Sequence, residues 1–312
     1  MTHRLAIIIP AYKAAFLSSA LDSIAAQTCK DFTLYVGDDC SPESIGSIVD
    51  GYQGKIDLVY HRFDTNIGGV DLVAQWERCI ALSRGEDYIW LFSDDDVMEP
   101  DCVEALFRQI KETRESYDLY HFDVSEIDEK GEVTRQLPGY PPVLSAYAYY
   151  KGKSSGRYRS YVVENVFSRS VYEQCGGFRN FDLAWGSDVA TWCIFSEKKG
   201  MCKVPDARVR WRRSGQNITP DKSGQTVERK LKSRCASLSW AYHFFKGEDD
   251  ILETNRRIFI RVMRHYKPLV GKECFDDAYK YFCDSHGYQD KWRWMRLFIV
   301  LPKPLYRLLK KR

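Results

Sequence analysis

Three consecutive carboxylates, Asp94, Asp95 and Asp96, stand at the end of the apolar run in "YIWLFSDDDVMEPD", residues 88 to 101. Like charges this close repel, and crowding them costs free energy unless a cation sits among them. A second acidic pair, Asp38 and Asp39, ends the run "FTLYVGDD". Hard carboxylate oxygens in loops suit Mg2+ or Mn2+, which typically bridges one or two carboxylates to the phosphates of a substrate. The chemistry these residues point to is therefore a divalent cation carrying a nucleoside diphosphate. The stretch "RWRRSGQNIT" adds Arg210, Arg212 and Arg213 near a strand end. Their planar forks suit phosphate, although a solvated basic edge uses the same residues. Alternation along a strand points Arg210 and Arg212 one way and Arg213 the other. The six histidines are scattered, with no metal-type spacing.

These residues need a scaffold, and the periodicities supply one. "LAIIIP" (5–10) is a short β-branched run that suits a strand buried on both faces of a parallel sheet. Helical spacing follows in 16–28, then a strand over 32–39, a short helix within 44–52 and a strand over 56–63. A helix over 70–85 carries Val70, Val73, Trp76 and Ile80 and stops on Gly85. A strand over 87–93 and a helix over 101–115 complete four alternations, the signature of βαβ units. In such sheets ligands bind beyond the carboxyl ends of the strands, where both acidic clusters fall. Further on, 118–128 and 203–211 read as strands and 187–200 as a helix, while 136–160 reads as an irregular excursion. From 226 to about 290 the chain reads as charged helices. This divides it into a catalytic α/β domain over 1–225 and a helical region over 226–312.

Composition narrows the classes. The 312 residues are 44% hydrophobic and 29% charged, ordinary for a globular protein. No apolar run reaches the roughly 18 residues of a membrane span, and "LAIIIP" is too short for a signal peptide core. The ten cysteines sit singly, which reads as reduced thiols in the cytoplasm. The net charge of +3 hides a gradient: net −9 over 1–100, −2 over 101–200 and +14 over 201–312. An acidic front suits a metal cation; a basic back suits phosphates, a membrane surface or both. Nucleic acid is not an expected partner.

The glycine fingerprint of dinucleotide-binding proteins is absent after the first strand, where "IPAYKAAF" stands, and there is no Walker A sequence. What does stand there, "IIIPAYKAAFLSSALDSIAAQTCKDFTLYVGDDCSPES", resembles the opening of family 2 glycosyltransferases of the GT-A fold. "NIGG" (66–69), "SRGEDYIWLFSDDD" (83–96), Pro100-Asp101, "CGGF" (175–178), "GSD" (186–188) and "RRSGQNIT" (212–219) continue the likeness in order. It covers roughly residues 4 to 220, and its strength lies in joint order and spacing.

The resemblance implies a Rossmann-like, mostly parallel sheet and a set of roles. Pro10, Ala11 and Tyr12 line the nucleobase pocket, and Asp39 accepts a hydrogen bond from the base, the ring N–H of uracil suiting a carboxylate. Asp95, with Asp96 or Asp94 beside it, holds the metal; aligned on Pro100, the usual Asp-x-Asp-Asp reads Ser93-Asp94-Asp95-Asp96. Arg212 or Arg213 lies near the diphosphate. Asp188 matches the catalytic base, with Ser187 where Glu is usual. Asp also commonly opens a helix as a cap or first-turn residue. Trp185 and Trp192 would wall the pocket of such a base or stack on a sugar.

The implied reaction is inverting transfer from a nucleotide-sugar, with UDP favoured, to a glycan or lipid-linked hydroxyl in surface polysaccharide synthesis. Two alternatives stand beside it. A sugar-phosphate nucleotidyltransferase would want a glycine-rich basic loop after the first strand. A non-catalytic nucleotide-sugar or glycan binder would explain Ser187 and Ser93. The tail, 291–312, carries eight basic and no acidic residues among Trp292, Trp294 and an apolar stretch. It suits an anionic bilayer interface, hence peripheral attachment to the inner membrane face, or a helix packed on the domain.

Overall fold

The computed structural model describes residues 3–215 and 224–288, together with 295, 296 and 299. Its contacts divide the chain into two units. The first comprises 1–180 and 187–217, and the second 181–186 and 218–312.

Among the described residues, the first unit is built on one ten-stranded sheet. The run "LAIIIPA" forms β1 (Leu5–Ala11), whose residues Leu5 to Ile9 are fully buried. On one side β1 pairs in parallel with β2 (Phe32–Asp38), which pairs in parallel with β3 (Leu58–Arg62). On its other side it pairs in parallel with β4 (Tyr88–Leu91). The chain thus runs outward through β2 and β3, then returns to the opposite flank of β1. That reversal is a switch point in strand order, and in such sheets ligands bind beyond the carboxyl ends of the strands, here β1, β2 and β4.

Helices cover this sheet as the spacing predicts: α1 (Leu17–Ala25), α2 (Ile45–Asp50), α3 (Leu72–Ile80) and, after the short strand β5 (Val97–Met98), α4 (Cys102–Glu112). Asp71 starts α3 by accepting from the Ala74 N–H at 3.0 Å. Val70 therefore lies outside the helix and is 79% exposed, and the helix ends at Ile80 rather than running to Gly85.

The rest of the sheet is mixed. The strand expected over 118–128 is β6 (Leu119–Ile127), which pairs in parallel with β10 (Met201–Arg212). Between β4 and β6 runs β9 (Asn165–Ser168), antiparallel to both. The edge strands β7 (Val133–Gln136) and β8 (Val143–Leu144) are also antiparallel. The excursion at 136–160 is not irregular throughout: Ala146–Ser155 form α5, capped by Ser145 and closed by Gly156 at φ 82°. Nearly every turn of α5 is buried, so no polar face alternates with an apolar one, and its signal is lost. Gly152 is required there because a Cβ would stand 2.1 Å from the Tyr158 ring. Helices α6 (Arg169–Gln174) and α7 (Ser187–Phe195) complete the unit.

The second unit holds a 3-10 turn at Asp182–Ala184 and the helices α8 (Gly224–Phe244), α9 (Ile251–Tyr266) and α10 (Lys272–Ser285). Phe259 stacks on Phe282 at 3.8 Å between ring centres. Buried His286 receives a hydrogen bond from Asn255, 3.0 Å away, and lies 2.8 Å from the Phe282 carbonyl.

Candidate active site

The carboxyl ends of β1, β2 and β4 bring together most of the residues singled out in the sequence. Asp39 follows β2 and is buried, its own N–H bonded to the Ala11 carbonyl at 2.9 Å. Its carboxylate accepts from the Ile67 and Gly68 N–H groups and from Asn66 Nδ2, each at 2.9 Å, and from the Arg78 guanidinium. That guanidinium in turn lies 3.8 Å over the Phe63 ring. Asp39 thus ties the "NIGG" loop and α3 to the end of β2. The partner Asp38 is also buried and holds Arg62 and Tyr60, each at 2.7 Å.

Pro10 and Ala11 close β1, and Tyr12 beyond them is 41% exposed. The Tyr12 and Lys13 N–H groups donate to one oxygen of Asp94, at 2.9 and 3.0 Å. Ser41 Oγ donates to the Tyr12 carbonyl at 2.6 Å. An aromatic ring is thus presented on a backbone held from both flanks, between the two acidic clusters.

The three carboxylates after β4 point to different partners. Asp94 faces the Tyr12–Lys13 backbone. Asp95 accepts from Ser93 Oγ at 2.6 Å, and Asp96 from the Arg212 N–H at 2.6 Å. Burial, then the charge of Asp95, pushes Asp94 up to about 6, against the pull of the Lys13 and Tyr12 N–H groups. The same two causes raise Asp96 well above the usual carboxylate range. Burial and the neighbouring Asp95 thus both disfavour the charged forms of Asp94 and Asp96. Among the described residues no group of three His, Cys, Asp or Glu is placed to hold a metal by itself. A Mg2+- or Mn2+-type ion that keeps waters and takes one or two carboxylates plus phosphate oxygens does not need such a group.

Two expectations are corrected here. Arg212 is 2% exposed and its donors are directed at backbone carbonyls and Ser19, so it does not present a fork to solvent. Arg213 is the exposed neighbour, as strand alternation requires. Trp192 is 0% exposed within α7, packed among Phe167, Phe178 and Phe195, so no sugar can stack on it. The other tryptophan, Trp185, is half-buried and belongs to the second unit, where Lys230 lies 4.9 Å over its ring.

Asp188 sits in the first turn of α7, half-buried. Among the described residues no hydrogen bond or ion pair engages its carboxylate. Buried Tyr149 on α5 is held far above its ordinary range by burial first, then by the charges of Tyr140 and Asp188. A second acidic group lay outside the sequence reading. Glu164, fully buried before β9, accepts from the Tyr161 N–H at 2.8 and 3.0 Å and is pushed by burial up to about 7. Its only sequence signal is a lone carboxylate inside the apolar run "YVVENVF".

The basic tail falls almost wholly outside the described residues. Of 291–312 only Met295 and Ile299, both buried, and Arg296 are described. Arg296 pairs with Asp276 at 2.7 Å. Among the described residues no helix is long and apolar enough to cross a membrane.

A mostly parallel sheet that reverses direction beside β1, with acidic loops at the switch, is the architecture of the GT-A glycosyltransferases. The chain belongs to glycosyl transferase family 2, whose family model matches residues 6–174. It is 30% identical over 138 residues to the poly(ribitol-phosphate) beta-N-acetylglucosaminyltransferase TarS of Staphylococcus aureus, covering 43% of this chain and 22% of TarS. It is 36% identical over 121 residues to a PGL/p-HBAD biosynthesis glycosyltransferase of Mycobacterium tuberculosis, covering 38% and 45%. The chain thus spans less than half the length of these curated relatives. Among solved structures, TarS 1–349 in complex with UDP-GlcNAc superposes with a TM-score of 0.58 at 13% identity, over 91% of this chain and 89% of that one. The mannosyltransferase PcManGT of Pyrobaculum calidifontis, in complex with GDP-Man and Mn2+, gives 0.54 at 13%, over 100% and 89%.

Proposed function

We propose that this chain is an inverting glycosyltransferase that moves a sugar from a nucleoside diphospho-sugar to an acceptor hydroxyl. The observation that carries the reading is the convergence of Tyr12, Asp39 and Asp94–Asp96 at the strand ends beside β1, with Asp94 and Asp96 raised first by burial and then by the neighbouring Asp95. UDP is the first nucleotide to test and UDP-GlcNAc the first donor, because the TarS structure named above holds UDP-GlcNAc.

In this reading Tyr12 stacks on the base, with Pro10 and Ala11 closing the pocket. Asp39 shapes its wall; accepting a base N–H would require one of its four donors to yield. Asp95, with Asp94 or Asp96, would hold Mn2+ or Mg2+ near the diphosphate. The ion, when bound, neutralises charge developing on the leaving phosphate. The exposed Arg213 adds a second cation near the phosphates. Asp188 takes the acceptor hydroxyl proton. The freed oxygen pair attacks the anomeric carbon on the face opposite the diphosphate, forming the new glycosidic bond. The bond to the phosphate oxygen breaks, its electron pair leaving with the nucleoside diphosphate, which accounts for inversion. Catalysis is mostly positioning and charge stabilisation.

The acceptor we favour is a glycan or lipid-linked hydroxyl in surface polysaccharide synthesis, met at the inner face of the membrane through the 291–312 tail. Each basic residue at an anionic surface contributes about 1 kcal/mol, screened by salt. Flotation with anionic liposomes of the full chain and of one ending at Asp290 tests this, and equal binding by both refutes it.

For the chemistry, UDP release from UDP-GlcNAc and other UDP-sugars is measured in Mn2+ and in EDTA, beside pyrophosphate release from UTP and sugar phosphates. Release of UDP only with metal, lost in Asp95→Ala with the melting temperature unchanged, is the expected result. Full activity of Asp95→Ala, or of the wild type in EDTA, removes the metal site from the reading.

A further inference from the structure

Arg212 joins four segments of the first unit. Its backbone N–H donates to the Asp96 carboxylate at 2.6 Å, and its Nε donates to the Asp95 carbonyl at 2.7 Å. One terminal nitrogen donates to the carbonyls of Asp128 and Glu129, at 2.8 and 3.3 Å, in the turn after β6. The other donates to Ser19 Oγ on α1 at 3.1 Å, and the guanidinium carbon lies 4.6 Å over the Phe16 ring. The residue is 2% exposed. A guanidinium fork can satisfy carbonyls in several directions at once from one plane, whereas a lysine ammonium is a compact point charge on a flexible stem.

We infer that Arg212 is a positioning residue for the acidic loop: it fixes the backbone of Asp95 and the side chain of Asp96 so that both present to a metal–diphosphate, and does not touch the diphosphate itself. The inference rests on the reading of Asp94–Asp96 proposed above. One residue of β10 thereby sets two consecutive residues of a loop more than a hundred positions earlier in the chain. It also anchors that loop to α1, which begins a few residues beyond Tyr12. The loop and the base-stacking end of β1 are therefore held in one frame. Partners that orient metal ligands from behind typically change metal affinity or activity about 10–100-fold when removed.

The test is calorimetric titration of UDP into the full chain, in Mn2+ and in EDTA, for the wild type, Arg212→Lys and Ser19→Ala. Uridine is the control without phosphate, and melting temperatures are recorded throughout. Arg212→Lys is expected to weaken UDP binding in Mn2+ about 10–100-fold. In EDTA its affinities for UDP and uridine stay within about twofold of wild type. Ser19→Ala, which removes one anchor, loses a smaller factor, again only in Mn2+. A fold defect alone would lower all three affinities together and overturns the inference. A direct phosphate contact would weaken UDP in EDTA as well, which also overturns it, as does wild-type Mn2+ dependence in Arg212→Lys. Should Arg212→Lys fail to fold, Ser19→Ala decides: unchanged Mn2+-dependent affinity refutes the positioning role. A wild type that binds UDP equally with and without Mn2+ fails earlier, because it removes the proposed metal site itself.

Discussion

Gly68→Ala probes the junction between the "NIGG" loop and Asp39. A Cβ built on Gly68 stands 2.6 Å from Asp39 Oδ2, the same oxygen that accepts the Gly68 N–H at 2.9 Å. Ordinary contact for a Cβ begins at 3.4 Å, so the carboxylate and the loop must part by about 0.8 Å. The carboxylate is not the loose end of a flexible chain, since Ile67, Asn66 and Arg78 hold it as well. Parting by that amount stretches the 2.9 Å bonds beyond the normal hydrogen-bond range. Hydrogen bonds to a charged group contribute about 1.5–3 kcal/mol each, and relaxation recovers part of that. The expected cost is about 2 kcal/mol, or a fall in melting temperature of roughly 4–8 °C for a domain of this size. UDP affinity should fall with it, because the displaced Asp39 and its loop line the proposed base pocket. Gly69→Ala is the control: its Cβ would stand 3.0 Å from Asn66 Oδ1 on an exposed loop, and a shift of a few tenths of an ångström absorbs it. Differential scanning fluorimetry and UDP titration on both variants decide the matter. A Gly68→Ala protein that melts within 1 °C of wild type and binds UDP equally would refute this account of Asp39.

Asp188→Asn should lower kcat about 10²–10⁴-fold while leaving UDP affinity nearly intact, since the amide keeps the shape but cannot take the proton; a variant within a few-fold of wild type would mean that Asp188 merely opens α7. Trp192→Ala should destabilise by about 3–5 kcal/mol in chemical denaturation, whereas Trp185→Ala, at a half-buried position, should cost less; equal stability loss in the two would contradict the burial difference. Burial pushes His286 down to about 4, so the fold favours its neutral form. The unfolded chain binds the extra proton between that value and about 6.5, so the stability contribution is present above pH 6.5 and is lost as pH falls toward 4. At most about 3 kcal/mol is involved. The urea midpoint of wild type should therefore fall more steeply across this window than that of His286→Gln, a difference needed because His121 titrates in the same sense and Glu164, raised to about 7, in the opposite one; parallel pH profiles would rule out His286 as a contributor.

Periodicity, turn residues and the placement of carboxylates are local properties, and they carried the first half of this protein. The β-branched run at 5–10, the helical spacing of 16–28 and the strand ending in Asp38-Asp39 could each be read without a neighbour. Their alternation then required a parallel sheet with Asp39 and Asp94–Asp96 at one end of it. What each side chain does there was decided by packing from elsewhere in the chain. Trp185 and Trp192 look alike in sequence, yet Trp192 faces three phenylalanines in the first unit while Trp185 lies under Lys230 in the second. Arg212 and Arg213 are adjacent cations, and strand alternation assigns them opposite sides. Only the carbonyls of Asp95, Asp128 and Glu129, brought in from β4 and β6, turn Arg212 into a buried strut. Helix α5 escaped notice because burial on nearly all sides erases the polar face by which a helix is read. The sequence by itself thus determined the first four strands, their parallel order and the acidic residues at their carboxyl ends. Tertiary structure alone decided how deeply each of them is buried and which partners hold it, because desolvation and hydrogen bonding depend on atoms a hundred residues away.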